Sequence, residues 1–284
     1  TPLYSSAASD VYKRQLQRYT YERIRKRKVT MTNKKVLITG ITGLVGSVLK
    51  EGLKSEFDVT GIDLRDGKDV QTLVADSTNL DEIVPAFEGV DTVIDLASEP
   101  SNFSPWNVIY DNNLKCTYNA FEASKMAGVR RVIFASSNHA TGNYENDSPY
   151  REIVAGQYEK LTPGSFDLVN TDMPIRPDGP YGIGKAFGEA TGRYFADEQG
   201  LSVMCLRIGT LNVESRPMNL RQFATLLTHG DLVRLVKACI NGPDSIRFGI
   251  YYGVSNNKWR FWDISNSQRE IGYQPKDNAE TWRK

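Results

Sequence analysis

From residue 35 onward, short apolar runs bounded by turn residues alternate with stretches of helical period. Lys35-Val-Leu-Ile-Thr39 predicts a first strand, and the residues after it a helix through about Ser55. A second strand ends in Gly61-Ile-Asp63-Leu, and Val70 to Val74 predicts a third. Leu80 to Phe87 reads as a short helix, Asp91 to Leu96 as a fourth strand, and Trp106 to Ala127 as a long helix. Arg131 to Ser137 predicts a fifth strand, Tyr181 to Gln199 a helix, and Leu201 to Ile208 a sixth strand. An amphipathic helix over Asp231 to Asn241 and a late strand over Ile246 to Tyr252 follow. Alternation this regular predicts an α/β fold, a doubly wound parallel sheet that collects its ligands at the strand C-termini.

Two segments break the rhythm. Residues 143–175 carry prolines, aspartates and tyrosines without a period, and residues 209–222 are also irregular. Long loops of this kind in a compact domain are commonly functional. Substrate-binding elements are therefore expected in 143–180 and in a small C-terminal portion, 209–284. Trp259, Phe261, Trp262 and Tyr273 crowd that portion and read as core packing.

Composition changes the picture at one end only. With 40% hydrophobic and 24% charged residues the chain has the make-up of a globular protein. No apolar run approaches the roughly 20 residues of a membrane helix, so no membrane partner is expected. Cys116, Cys205 and Cys239 stand far apart, which argues for reduced thiols in the cytoplasm and against zinc; no metal site is expected. Residues 1–30 hold eight basic residues against Asp10 and Glu22, which leaves a mildly acidic body beyond them. Asp10-Val-Tyr-Lys-Arg-Gln15 resembles the translation of a transposon end, and Met31-Thr-Asn-Lys-Lys reads as a natural start. Residues 1–30 are thus expected to be read-through or disordered rather than a nucleic-acid arm, with a single domain spanning 31–284.

The candidate chemistry lies at the strand ends. Gly40-Ile-Thr-Gly43-Leu-Val-Gly46 joins the first strand to its helix, a spacing that lets backbone N–H groups approach a pyrophosphate. Asp63, 17 residues beyond Gly46, would accept the ribose hydroxyls and favour NAD over NADP, although Arg65 beside it suits a 2′-phosphate. Asp76, in Ala75-Asp76-Ser77, would meet the adenine. Tyr181 and Lys185 stand at i and i+4 behind Arg176-Pro-Asp-Gly, on one helix face, where an ammonium would lower the phenol pKa and make a general base.

In this order, the glycine loop, Asp63, Ser136-Ser137 and Tyr181-x-x-x-Lys185 resemble the extended short-chain dehydrogenase/reductase superfamily, whose nucleotide-binding part is Rossmann-like. Phe134-Ala-Ser-Ser-Asn-His139, Arg176-Pro-Asp-Gly, Leu206-Arg-Ile-Gly and Tyr273-Gln-Pro-Lys-Asp-Asn-Ala-Glu280 are similar to uronate dehydrogenases and to NAD-dependent sugar and sugar-phosphate 1-dehydrogenases. The loop from Glu145 to Asp172 is nearer in length to the sugar-phosphate enzymes. The family continues past the position of Lys284 with a tail, so an end at Lys284 is expected to be a truncation.

The resemblance implies a homo-oligomeric, cytoplasmic, NAD-dependent enzyme that oxidises an aldose or uronate at C1 to the aldonolactone. Tyr181 would be the base, Lys185 would lower its pKa and hold the nicotinamide ribose, and Ser137 rather than Ser136 would bond the reacting oxygen. Gly40, Gly43, Leu44, Val45, Gly46, Asp63, Asp76, Ser77, Leu96, Ala97 and Asn113 would complete the cofactor site, Asn113 acting on Lys185 through water. Ser98, Asn138, His139, Thr210 and Arg221 would face the sugar; His229 reads as structural. An acidic sugar or sugar phosphate is expected, held by arginine's fork. Arg207, Arg216 and Arg221 are candidates, and Arg221 aligns with the carboxylate-gripping arginine of uronate dehydrogenases. A sugar-nucleotide epimerase or dehydratase with retained NAD would use the same three side chains, and a non-catalytic NAD sensor the same fold.

Overall fold

The structure, a computed structural model, describes residues 34–159 and 161–283; the expectations for residues 1–30 and for Lys284 lie outside them. β1 (Lys35–Thr39), β2 (Asp58–Asp63), β3 (Thr72–Val74), β4 (Thr92–Asp95), β5 (Arg131–Ser137), β6 (Ser202–Ile208) and β7 (Phe248–Gly253) form one sheet. Its order is β3-β2-β1-β4-β5-β6-β7, and every pairing is parallel. The order reverses between β1 and β4. In open sheets of this kind the crevice at such a reversal is where ligands bind.

Alternation along the strands builds a core on each face. Val36 and Ile38 of β1 join one apolar cluster with Leu49, Leu53, Leu232 and Leu235, from the Leu44–Leu53 and His229–Asn241 helices. Leu37 points the other way, into a cluster with Phe121, Phe134 and Phe195 under the Lys115–Met126 and Pro180–Glu198 helices. Among the described residues no helix is long and apolar enough to cross a membrane.

The structure changes several expected elements. Between Trp106 and Met126 the helix widens to a π-helical turn over Ile109–Leu114. The segment expected to be irregular, 143–175, begins inside 3-10 turns over Asn138–Asn146 and contains a helix over Tyr150–Val154. Short helices over Gln222–Thr225 and Ser265–Ile271 were not visible in the apolar pattern. The Asn138–Asn146, Tyr150–Val154 and Gln222–Thr225 pieces share a third core, in which Tyr144, Tyr150, Val169 and Ala224 pack with Tyr252, Trp259, Phe261 and Trp262. His229 is structural here, its Nε2 2.8 Å from the Asn212 carbonyl oxygen.

One ion pair ties the sheet to the helix above it. Arg207 on β6 and Glu189 on the Pro180–Glu198 helix are 1% and 5% exposed and meet by two contacts of 2.8 Å. Ser136 donates to the same carboxylate at 2.6 Å, and the Tyr252 hydroxyl accepts from Arg207 at 3.2 Å. Removing the carboxylate strands a buried guanidinium. Glu189→Ala should therefore lower the unfolding free energy by about 3–5 kcal/mol, read from urea denaturation. A loss below about 1 kcal/mol would show that the arginine finds water or another partner.

Candidate active site

At the C-terminal ends of β1, β2, β4, β5 and β6 lies a cavity of about 800 Å³, within the range of ligand sites. Its first wall is the glycine loop. Gly40 holds φ at +67°, and a Cβ on Gly46 would stand 2.4 Å from the Gly40 carbonyl oxygen, so the first helical turn packs directly on the loop. Asp63 ends β2 with one carboxylate oxygen accepting from the Thr42 N–H at 2.8 Å. The Thr39 hydroxyl donates to Asp95 at 2.7 Å and accepts from the N–H groups of Leu96 and Ala97, which fixes the turn after β4. Gly43, Leu44, Val45, Asp76 and Ser77 complete this wall. Close-packed backbone, exposed N–H groups at a helix start and a carboxylate at the second strand's tip fit a dinucleotide.

The other half of the cavity holds Tyr181 and Lys185, carried by the Pro180–Glu198 helix. That helix lies very close to β5, because a Cβ on Gly188 would stand 2.1 Å from the Phe134 ring. Lys185 Nζ sits 3.3 Å from Ser98 Oγ and 5.4 Å from the centre of the Tyr181 ring. Burial lowers the Lys185 pKa to about 8, with Asp95 acting in the opposite direction. Tyr181 departs from expectation. Desolvation pushes its phenol up to about 12, the Ser137 hydroxyl pulls it back, and the charge of Glu99 raises it further. Burial thus sets the direction, opposite to the lowering expected from an adjacent ammonium.

Ser137 faces this half of the cavity, whereas Ser136, though it lines the wall, spends its hydroxyl on Glu189. The Ser137 hydroxyl also accepts from the His139 N–H at 3.2 Å. His139 Nδ1 lies 2.8 and 3.0 Å from the two oxygens of Asp178, which can only accept when ionised, so Nδ1 carries the proton. The Arg176-Pro-Asp-Gly loop is therefore the clamp on His139. Asn138 donates to the Ile208 carbonyl at 2.9 Å, and Thr210 lines the wall beyond β6.

Two residues have partners that the sequence did not indicate. Asn113 is held by Glu99. Its amide accepts from the Glu99 N–H at 2.8 Å and donates to the Glu99 carbonyl at 3.0 Å, bracing the loop after β4. Arg221 lines the cavity but offers no free fork. Glu145 takes it bidentately at 2.6 and 2.7 Å, Thr210 and Asn138 accept at 2.8 and 3.0 Å, and Thr225 at 3.5 Å. Those five bonds match the five N–H donors of a guanidinium. Arg207 lies in the buried pair with Glu189, and Arg216 is exposed. Glu145, Asp178 and Glu99 escaped the sequence reading, since no spacing ties them to the residues they touch.

Residues 36–229 match the NAD dependent epimerase/dehydratase family, and the chain belongs to it, within the extended short-chain dehydrogenase/reductases. The L-arabinose 1-dehydrogenase (NAD(P)(+)) of Haloferax volcanii is 34% identical over 87% of this chain and 98% of its own. The NAD-dependent glucose-6-phosphate dehydrogenase of the same organism is 34% identical over 86% and 94%. In three dimensions the crystal structure of the glucuronic acid dehydrogenase from Chromohalobacter salexigens superposes with a TM-score of 0.76. It is 28% identical and covers 88% of this chain and 87% of its own. The protein is an oxidoreductase of the sugar dehydrogenase type, acting on a CH–OH group.

Proposed function

We propose that the protein oxidises the C1 hydroxyl of a cyclic sugar, an aldose or a uronate, to the aldonolactone with NAD. The observation that carries this reading is the convergence of Tyr181, Lys185 and Ser137 at the strand ends, beside a wall fit for a dinucleotide. Relatives named for arabinose, glucose 6-phosphate and glucuronic acid support a sugar as substrate. Asp63 favours a free ribose diol, hence NAD, while Arg65 is exposed beside it.

When bound, NAD supplies the acceptor for the hydride lost from C1 and, in its oxidised form, a positive charge near the phenol. Tyr181 is the base that takes the hydroxyl proton. Its desolvated phenol holds that proton tightly in the free protein, so added positive charge is what brings the phenolate within reach. Lys185 holds the ribose and, with Ser98, fixes the floor of the site. Ser137 donates to the substrate oxygen as it becomes a carbonyl. His139, with Nδ1 committed to Asp178, and Asn138 orient the sugar hydroxyls.

Tyr181→Phe should lower kcat by about 10²–10⁴-fold while NAD binding, followed by quenching of protein fluorescence, is retained. A variant that keeps most of its turnover would remove Tyr181 as the base. Ser137→Ala tests the hydroxyl that lowers the phenol pKa. The phenolate is the working form, so kcat/KM rises with pH through that pKa, and losing the hydroxyl should move the rise to higher pH. A profile unmoved on the pH axis would place Ser137 away from the phenol.

A further inference from the structure

The Arg221 guanidinium does not reach the cavity as a free cation. Glu145 neutralises it through two charge-assisted bonds of 2.6 and 2.7 Å. The pair is partly shielded, with side chains 31% and 16% exposed, and the carboxylate is the more enclosed member. A second anion on this arginine would find its donors taken and would lie within a few ångströms of a like charge.

The other charges near the sugar end agree. Lys185 lies near Asp95, which favours its charged form, and His139 near Asp178. Glu99 adds a carboxylate to the cavity wall itself. The Arg221 fork is thus already paired, so a charged substrate would have to displace Glu145 or bind without compensation. Hydroxyl groups suffer no such conflict, because they carry no charge to compensate and the His139 ring on the same wall commits only its Nδ1, to Asp178.

We infer that Glu145 stands in for a substrate carboxylate, and that the site takes a neutral aldose in preference to a uronate or sugar phosphate. This deepens the proposed C1 oxidation and rests on it. Glu145 does not line the cavity; it acts through Arg221 as a specificity-determining residue. The position is built in: Glu145 lies in the 3-10 segment Asn138–Asn146, which the loop through Arg176 and Pro177 holds by Arg176 N to Ala140 O and by Asn143 Nδ2 to Pro177 O.

The test compares galactose with galacturonate, which differ at C6 alone, and glucose with glucose 6-phosphate. The wild-type protein should show kcat/KM at least about tenfold higher for the neutral member of each pair. Glu145→Gln keeps the shape of the side chain and removes its charge, and should shift the galacturonate-to-galactose ratio upward by about thirtyfold, mainly through KM. Adding Arg221→Ala to that variant should erase the gain, which a general loosening of the loop would not do. A wild-type preference for either acidic sugar, or a ratio unchanged in Glu145→Gln, overturns the inference. Should none of the sugars be oxidised, the proposed function fails, yet titration calorimetry of galactose and galacturonate on NADH-loaded protein still decides the inference. Tighter galactose binding that reverses in Glu145→Gln supports it; tighter galacturonate binding overturns it.

Discussion

Everything at this site depends on how closely the Pro180–Glu198 helix lies on β5. With Gly188 against the Phe134 ring, there is no room for even a methyl group between helix and sheet. That approach brings Tyr181 and Lys185 down to the strand ends, with Lys185 buried and Tyr181 half-buried. Desolvation then works against each charged form, pushing the phenol up to about 12 and the ammonium down to about 8. A buried pair of this kind is primed for proton chemistry and idle until its surroundings change. In our reading the oxidised cofactor makes that change, which couples base strength to cofactor binding.

The second constraint is charge accounting. Arg207, His139 and Arg221 each have a carboxylate within hydrogen-bonding distance, namely Glu189, Asp178 and Glu145. The three pairs do different work. Glu189 anchors the helix, with Ser136 joined to the same oxygen. Asp178 fixes which imidazole nitrogen carries the proton. Glu145 sets the charge that a sugar meets at the far wall. In our reading a site assembled in this way binds by hydroxyl recognition rather than by ion pairing.

Much of the framework was legible in the sequence because it rests on local signals. Strand–helix alternation predicted all seven strands, with shifts of a few residues at β3 and β7. The glycine loop and Asp63 announced themselves by spacing, and the i, i+4 relation put Tyr181 and Lys185 on one helix face. The helices over Tyr150–Val154 and Ser265–Ile271 are short and bury few residues, so no periodicity revealed them. Nor could spacing reveal the carboxylate partners. Glu145 lies 76 residues from Arg221 and Asp178 lies 39 from His139, brought together by loops without period. Arg221 was visible as a cation and invisible as a neutralised one. The expected lowering of the tyrosine pKa failed for a similar reason, since adjacency can be read from spacing and desolvation cannot.

The central claim is that hydride leaves C1 of a sugar and is released as product rather than returned. Incubating the protein with NAD and an aldose deuterated at C1 tests it directly. The account predicts free NADH carrying deuterium at the nicotinamide C4, formed in equal amount with the aldonolactone, both visible by NMR. Unlabelled NADH, or deuterium retained on a sugar with inverted stereochemistry and no NADH released, would contradict it.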